Sequence, residues 1–495
     1  MPVELLQKHS RQRRRSRGAA EANGVEWLID NAVAYDALID AIVHARRSVW
    51  ISQLAFDADC EAYAADGSAT RLLDVLVRAH LERGIDVCIL LNESLLLDTA
   101  TPLRRALANM GASTIRVRGI SRFPQLLHAK VLIADDSVAY VMGSPFANGY
   151  WDDACHCPSD VRRPKRELGG RPLHDVSVRV TGPAVQELSA LFDAWWSGAT
   201  KAGSRGASHV ALQQHTAERD GAHSVRVART VPGGATEILE AMLDGIARAK
   251  RLIYIEHQYL SSRAIVGAIV AALARAPHLE VIALLNQNPD VTAYRGWQNA
   301  RLRESGLLDH PRVGLFTLWT RGDTPDGRIA LNQVFVHSKV IIVDDAWATV
   351  GSANVDGVSL HSYGDDFASW LGRRVFRDVR NFDVNLVLTS DEPAVGASIS
   401  ALRSLLWTEH VGAGHRCLAQ WRTSAAANAT ALTDSARAGS ARSSGSFVLP
   451  YSTASHPLEQ LRELTSAPSE NLEVRFSPSW LEVHCSPNWI RNMFA

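Results

Sequence analysis

The chain has 495 residues, 46% hydrophobic and 21% charged, which excludes a disordered or low-complexity protein. Fifty-two basic residues balance fifty-two acidic ones, so bulk charge supplies no drive toward nucleic acid. The longest apolar run, Ala264 to Ala274, falls short of the roughly 20 residues that cross a bilayer, and no signal-peptide pattern follows the basic start.

The first 24 residues carry a basic run, Lys8, Arg11, Arg13, Arg14, Arg15 and Arg17. They read as a solvated arm, with attraction to anionic lipid head groups as the sharper alternative. A helix is expected over Tyr35 to Arg47, then a strand from Ser48 to Leu54, a helix over Leu72 to Arg83 and a strand from Val87 to Leu91. The same order returns later: a helix over Ile238 to Ala249, a strand from Leu252 to Glu256, a helix over Ala264 to Ala274 and a strand from Val281 to Leu285. Each unit then reaches a His-x-Lys motif, 78 residues after Trp50 and 83 after Tyr254. This internal repeat predicts two similar α/β domains, 25–200 and 223–421, stacked about a pseudo-two-fold axis with largely buried sheets. Residues 201–222 read as a linker, and the Ala/Ser/Thr-rich stretch 422–446 reads as a second, flexible one. The last segment, 447–495, regains Leu461, Phe476, Trp480 and Trp489 and has no assigned place.

The six cysteines form no Cys-x-x-Cys pair. Cys155-His156-Cys157 lacks a second ligand cluster, so no metal and no cofactor are expected, and a reduced cytoplasmic protein is the default.

The two motifs read Leu127-His128-Ala-Lys130-Val-Leu-Ile-Ala-Asp135 and Val336-His337-Ser-Lys339-Val-Ile-Ile-Val-Asp344. In a strand, His and Lys two apart share a face, and an imidazole beside an ammonium suits a phosphate. The chain holds six lysines against forty-six arginines, and two of the six stand at these matched positions. A compact point charge is therefore expected there rather than a guanidinium fork. Asp135 and Asp344, five positions beyond the lysines, read as structural.

These residues resemble the phospholipase D superfamily, over roughly residues 25 to 390. Gly351-Ser352-Ala-Asn354 matches the family's Gly-Ser-x-Asn extension, in which the asparagine contacts phosphate. In the first motif the corresponding count runs Met142-Gly143-Ser144-Pro145, so Pro145 stands where the family has Asn, with Asn148 as a candidate substitute. Gly149-Tyr-Trp-Asp152-Asp153, His174-Asp175 through Gly182-Pro183, and Ile253-Tyr-Ile-Glu256-His257-Gln258-Tyr259-Leu are similar to segments of the lipid-cleaving members, with His257 in place of Asn.

The resemblance implies two phospholipase D-like domains sharing one site. It implies His128 as nucleophile and His337 as general acid and base, oriented crosswise by Asp383 and Asp175. Lys130, Lys339, Ser144, Ser352 and Asn354 would stand at the phosphate. The substrate implied is a phospholipid, with peripheral contact at a membrane, no nucleic acid and a monomeric enzyme. A cardiolipin-synthase-like phosphatidyltransferase shares the same residues; a nuclease of the superfamily and a lipid-binding scaffold are the further alternatives.

Overall fold

The computed structural model describes residues 20–64, 66–94, 97–122, 124–163, 170–199, 223–287, 289, 292–323, 329–367, 369–390, 393–438, 445–453 and 472–475. The basic run from Lys8 to Arg17, the segment 201–222, and Leu461, Phe476, Trp480 and Trp489 lie outside the described residues.

The first half contains β1 (Ala20–Ile29), β2 (Ser48–Ser52), a hairpin of β3 (Glu61–Tyr63) and β4 (Ala69–Arg71), β5 (Asp86–Asn92) and β6 (Arg116–Ile120). It continues with β7 (Val131–Ala134), β8 (Val138–Val141), β9 (Leu173–His174) and β10 (Val176–Thr181). The second half contains β11 (His223–Thr230), β12 (Leu252–His257), β13 (Glu280–Leu285), β14 (Val313–Asp323) and β15 (Ile329–Gln333). Then come β16 (Phe335–Val336), β17 (Lys339–Val343), β18 (Trp347–Gly351) and β19 (Asp383–Thr389).

Pairing runs β6-β5-β2-β7-β8-β10-β1 in the first half and β14-β13-β12-β17-β18-β19-β11 in the second. In each series the first two pairs are parallel and the other four antiparallel. The parallel pairs follow from helical crossovers, Leu72–Arg83 and Ala100–Asn109 in one half, Arg263–Arg275 and Thr292–Glu304 in the other. The repeat read in the sequence is thus a repeat of topology. An antiparallel β1–β11 pairing, Ala20 with Val225 and Asn23 with His223, joins the two sheets into one.

Both faces of each sheet are covered, which is why the strands read as unbroken apolar runs rather than alternating ones. Val131 and Ile133 of β7 enter a central core between the sheets, while Leu132 and Ala134 enter an outer core under helices Asn31–His44 and Leu72–Arg83. In β17, Val340 and Ile342 face the central core, and Ile341 and Val343 face the outer one. Helices Pro183–Ala199 and Pro393–Val411 fill the centre with Phe192, Trp195, Trp196, Leu402, Leu406 and Trp407.

The stretch expected as a flexible linker over 422–446 is different. Helix Leu418–Ala438 occupies most of it. Alanine has the highest helix propensity, and Leu418, Trp421 and Ala425 recur at helical spacing to bury one stripe in the central core. Beyond it, β20 (Gly445–Pro450) adds antiparallel to β14, and β21 (Leu472–Arg475) adds parallel to β15, so part of the last segment extends the second sheet.

Candidate active site

The site forms where the two halves exchange backbone hydrogen bonds. β16 pairs in parallel with β9, placing Val336 opposite His174, and His337 N–H donates to the His174 carbonyl at 2.8 Å. The mirror contact is a bridge of Leu127 with Phe382, whose carbonyl accepts from both His128 N–H (3.0 Å) and Ala129 N–H (2.8 Å). One carbonyl taking two amides explains why the ladder strand β7 begins only at Val131, after the His-x-Lys residues rather than through them. Each histidine is thereby set beside the residue that follows its cross-half partner: Asp175 follows His174, and Asp383 follows Phe382.

The side chains complete that crossing. His128 Nδ1 lies 2.6 Å from Asp383 Oδ1, and His337 Nδ1 lies 2.9 Å from Asp175 Oδ2, all four residues being buried. Lys339 Nζ also stands 3.0 Å from His337 Nδ1 and donates to the His337 carbonyl. One ring nitrogen cannot both accept from Lys339 and donate to Asp175. The buried carboxylate takes the proton, as in the His128 pair, so the lone pair of each ring lies on Nε2.

Ser144 donates to Asp175 Oδ2, and Ser352 donates to Asp383 Oδ1 at 2.7 Å. Both hydroxyls, expected at the phosphate, are therefore committed to the carboxylates. Their equivalence also shifts the first motif by one position. By strand pairing Gly143 corresponds to Ser352, yet Ser144 does the matching work. Gly143 cannot be otherwise, because a Cβ there would lie 2.0 Å from Asp175 Oδ1. Under either count no asparagine falls opposite Asn354, since Pro145 and Phe146 take the place. Asn148 does not compensate, because its amide donates to Asp59 at 2.6 Å. Asn354 itself is buried, and its amide oxygen has no partner among the described residues.

Asp135 and Asp344 leave the pocket, as their spacing implies. Asp135 accepts from the backbone N–H groups of Arg46, Arg47 and Ser48, and Asp344 from those of Lys250, Arg251 and Leu252, at 2.7–2.9 Å. Each adopts a left-handed backbone, φ 55° and 54°, and ties the turn after one strand to the start of its neighbour.

Two residues that the sequence reading missed position the motifs. Asn92 pairs through its amide with the N–H (2.9 Å) and C=O (3.0 Å) of Leu127, and Asn286 does the same for Val336 (2.9 and 2.8 Å). Each clamps the residue just before a motif histidine. The signal was present: Leu-Leu-Asn closes β5 at Asn92 and recurs at the end of β13, with Asn286 just past it.

Electrostatics keep the resting imidazoles neutral. Burial and the Lys339 ammonium push His337 down to about 3 against the pull of Asp175. Burial and Lys130 lower His128. Asp175 would be raised by burial, but His337, Lys339 and Ser144 bring it to about 2. Lys130, buried and facing Lys339, is pushed well below the usual ammonium range, and its Nζ has no hydrogen-bond partner among the described residues. An entering phosphodiester anion meets two crowded cations, relieves both, and raises the imidazole that must donate a proton. Binding of sulfate, an anion with no proton of its own to exchange near pH 7, is therefore expected to be accompanied by net proton uptake by the protein. Calorimetry in buffers of different ionisation enthalpy reads this directly; no uptake would mean that Lys130 and His337 already carry their protons in the free protein.

A family model described as "Cardiolipin synthase, PLD-like domain" matches residues 38–150 and 242–397, more than half of the chain, with one match on each half. The chain belongs to the phospholipase D superfamily. It is similar to "Phospholipase D" of Phytophthora infestans, 28% identical over 231 residues, which are 38% of this chain and 12% of the relative. It is also similar to "Phospholipase D A" of Dictyostelium discoideum, 23% identical over 466 residues, covering 78% and 35%. "Cardiolipin synthase" of Oceanobacillus iheyensis is 23% identical over 363 residues, covering 68% and 62%. The chain thus spans only a minor part of the first two relatives and about three fifths of the third. Among the described residues no helix is long and apolar enough to cross a membrane.

Proposed function

We propose that the protein is a phospholipase D-type phosphodiesterase that cleaves the distal phosphoester of glycerophospholipids. His128 Nε2 attacks phosphorus, forming the N–P bond, while the bond to the head-group oxygen breaks and that oxygen takes the His337 proton. Water, deprotonated by His337, then breaks the N–P bond and releases phosphatidic acid, with retention at phosphorus over the two inversions. The observation that supports this chemistry is the crossed pairing, which gives each of two histidines its own carboxylate on Nδ1 and puts each ring's lone pair on Nε2.

A lipid substrate is favoured by the segment 355–382, which leaves the site after Asn354 and returns at Asp383. It carries the short helix Trp370–Val375, on which Trp370, Leu371 and Val375 are 70, 63 and 62% exposed beside Arg373 and Arg374. Apolar side chains rimmed by arginine suit the head-group region of an anionic bilayer. Transfer of the phosphatidyl group to a lipid alcohol is the second reading, favoured by the family description and by the cardiolipin synthase relative.

Vesicles of choline, ethanolamine and glycerol phospholipids, with and without a primary alcohol, separate the readings. Head-group release is expected, with phosphatidyl-alcohol rising at the expense of phosphatidic acid as alcohol is added. Product that forms only with a lipid alcohol, and none in water alone, would make the protein a transferase. Cleavage of oligonucleotides with no action on any phospholipid would overturn the lipid assignment.

A further inference from the structure

Behind the seam lies a second cluster that the phosphodiester chemistry does not use. His174, the neighbour of Asp175, has Nδ1 3.0 Å from Asp30 Oδ1 and 2.9 Å from Glu409 Oε1. His156 Nε2 lies 3.2 Å from the same Glu409 oxygen and 3.8 Å from the same Asp30 oxygen. These four donor atoms all lie within 4.8 Å of one another. Zinc bonds of about 2.0–2.1 Å arranged as a tetrahedron put ligand atoms roughly 3.3 Å apart, and the four separations straddle that value.

We propose that Asp30, His156, His174 and Glu409 form a four-coordinate structural site for a divalent transition metal, zinc by its donor set and geometry. The surrounding groups fit this assignment. His156 Nδ1 lies 3.0 Å from Asp152 Oδ2, whose other oxygen pairs with Arg163, and His174 Nε2 lies 3.2 Å from Glu256 Oε2. Each imidazole can therefore turn a lone pair to the ion and give its remaining N–H to a carboxylate, the arrangement that fixes metal-binding histidines. Charge closes at the ion itself, with its two positive charges against Asp30 and Glu409, and Arg163 stands against Asp152.

A metal-free network explains the contacts less well. The single Nδ1 proton of His174 would have to aim at two carboxylate oxygens at once, whereas a shared ion meets both. Asp30, 1% exposed, keeps one carboxylate oxygen without a hydrogen-bond partner among the described residues, a costly state unless its charge is matched by ligation. Cys155 and Cys157, the thiols that drew attention to this stretch, stand outside the donor set. His174, His156 and Asp30 are buried and Glu409 is 12% exposed, which suits a closed structural site rather than a catalytic one. Three ligands come from the first half and Glu409 from helix Pro393–Val411 of the second, so the ion would pin the halves together one residue from Asp175.

The test uses the tag-free full-length protein, grown with zinc and purified without chelators. Elemental analysis is expected to find close to one zinc per chain, falling to about a tenth of that in His156→Ala and in Glu409→Gln. Cobalt substitution is expected to give the visible bands of a four-coordinate site, and stripping the ion to lower the unfolding midpoint. Glu409→Gln nearly preserves side-chain shape and carries the test if His156→Ala does not fold. Protein that holds no metal and takes up none on incubation with zinc or cobalt would overturn the site and leave an ionic hydrogen-bond network. Metal retained in full by both variants would place the ion elsewhere and overturn it equally.

Discussion

His128→Ala and His337→Ala are each expected to lower turnover by on the order of 10⁴-fold or more while leaving the far-ultraviolet spectrum and the unfolding midpoint close to those of the parent. Both rings are buried, so each truncation leaves a small cavity, that of His337 lying between the rings of Tyr150 and Phe335. The two losses differ in kind. Without His128 no N–P bond can form; without His337 the bond can form whenever the leaving group needs no proton. A substrate with an activated leaving group, such as a nitrophenyl phosphodiester, is therefore expected to label His337→Ala protein at His128 and to label His128→Ala protein nowhere. Intact-mass analysis after an acid-free quench reads the adduct. A covalent adduct on His128→Ala protein would exchange the roles of the two histidines.

The carboxylates come next in expected effect. Asp383→Asn removes the charge that holds the His128 Nδ1 proton at 2.6 Å. The neutral amide can present its NH2 to Nδ1 instead, which fixes the tautomer with its proton on Nε2 and blunts the attacking lone pair. A loss of about 10³–10⁴-fold in turnover is expected, with KM little changed, by the same logic that governs the aspartate of a serine protease triad. Asp175→Asn acts on the general acid, so its penalty should be largest for poor leaving groups and shrink for the activated substrate. Equal losses on both substrates would mean that Asp175 does not act through His337. The serine contacts predict a further, smaller effect: Ser352→Ala, which removes the 2.7 Å bond to Asp383 together with the acceptor of the Val384 N–H (3.0 Å), should cost about tenfold.

The two motifs were legible because a histidine and a lysine two apart, repeated in a chain with so few lysines, form a local pattern that needs no folding to be seen. The repeated order of helices and strands was legible for the same reason, since apolar periodicity is local; helix Leu72–Arg83 and strand Leu252–His257 lie where the pattern put them, within a residue. What failed depended on contact rather than pattern. The alanine-rich stretch after Trp421 looks like a linker until Leu418, Trp421 and Ala425 are given a core to face. Asn92 and Asn286 look like strand ends until the chain returns to them 35 and 50 residues later. The slip between Gly143 and Ser144 shows in the count, Gly143 standing eight positions after Asp135 and Gly351 seven after Asp344, but that Ser144 still takes the part of Ser352 shows only once its contact with Asp175 is seen. The quartet of Asp30, His156, His174 and Glu409 draws on four distant places and has no local signature beyond a histidine between two cysteines.

The exchange of carboxylates between halves has an evolutionary side. Two copies of a single half could build the same seam as a symmetric pair, but every change in one copy would then appear in the other. Fusion into one chain releases that constraint. One histidine can be tuned as attacker and the other as proton carrier, and one half can keep Asn354 while the other lets proline and phenylalanine stand in its place. The loss of symmetry around Pro145 need not be decay; a covalently joined pair is free to divide labour in a way that identical subunits cannot.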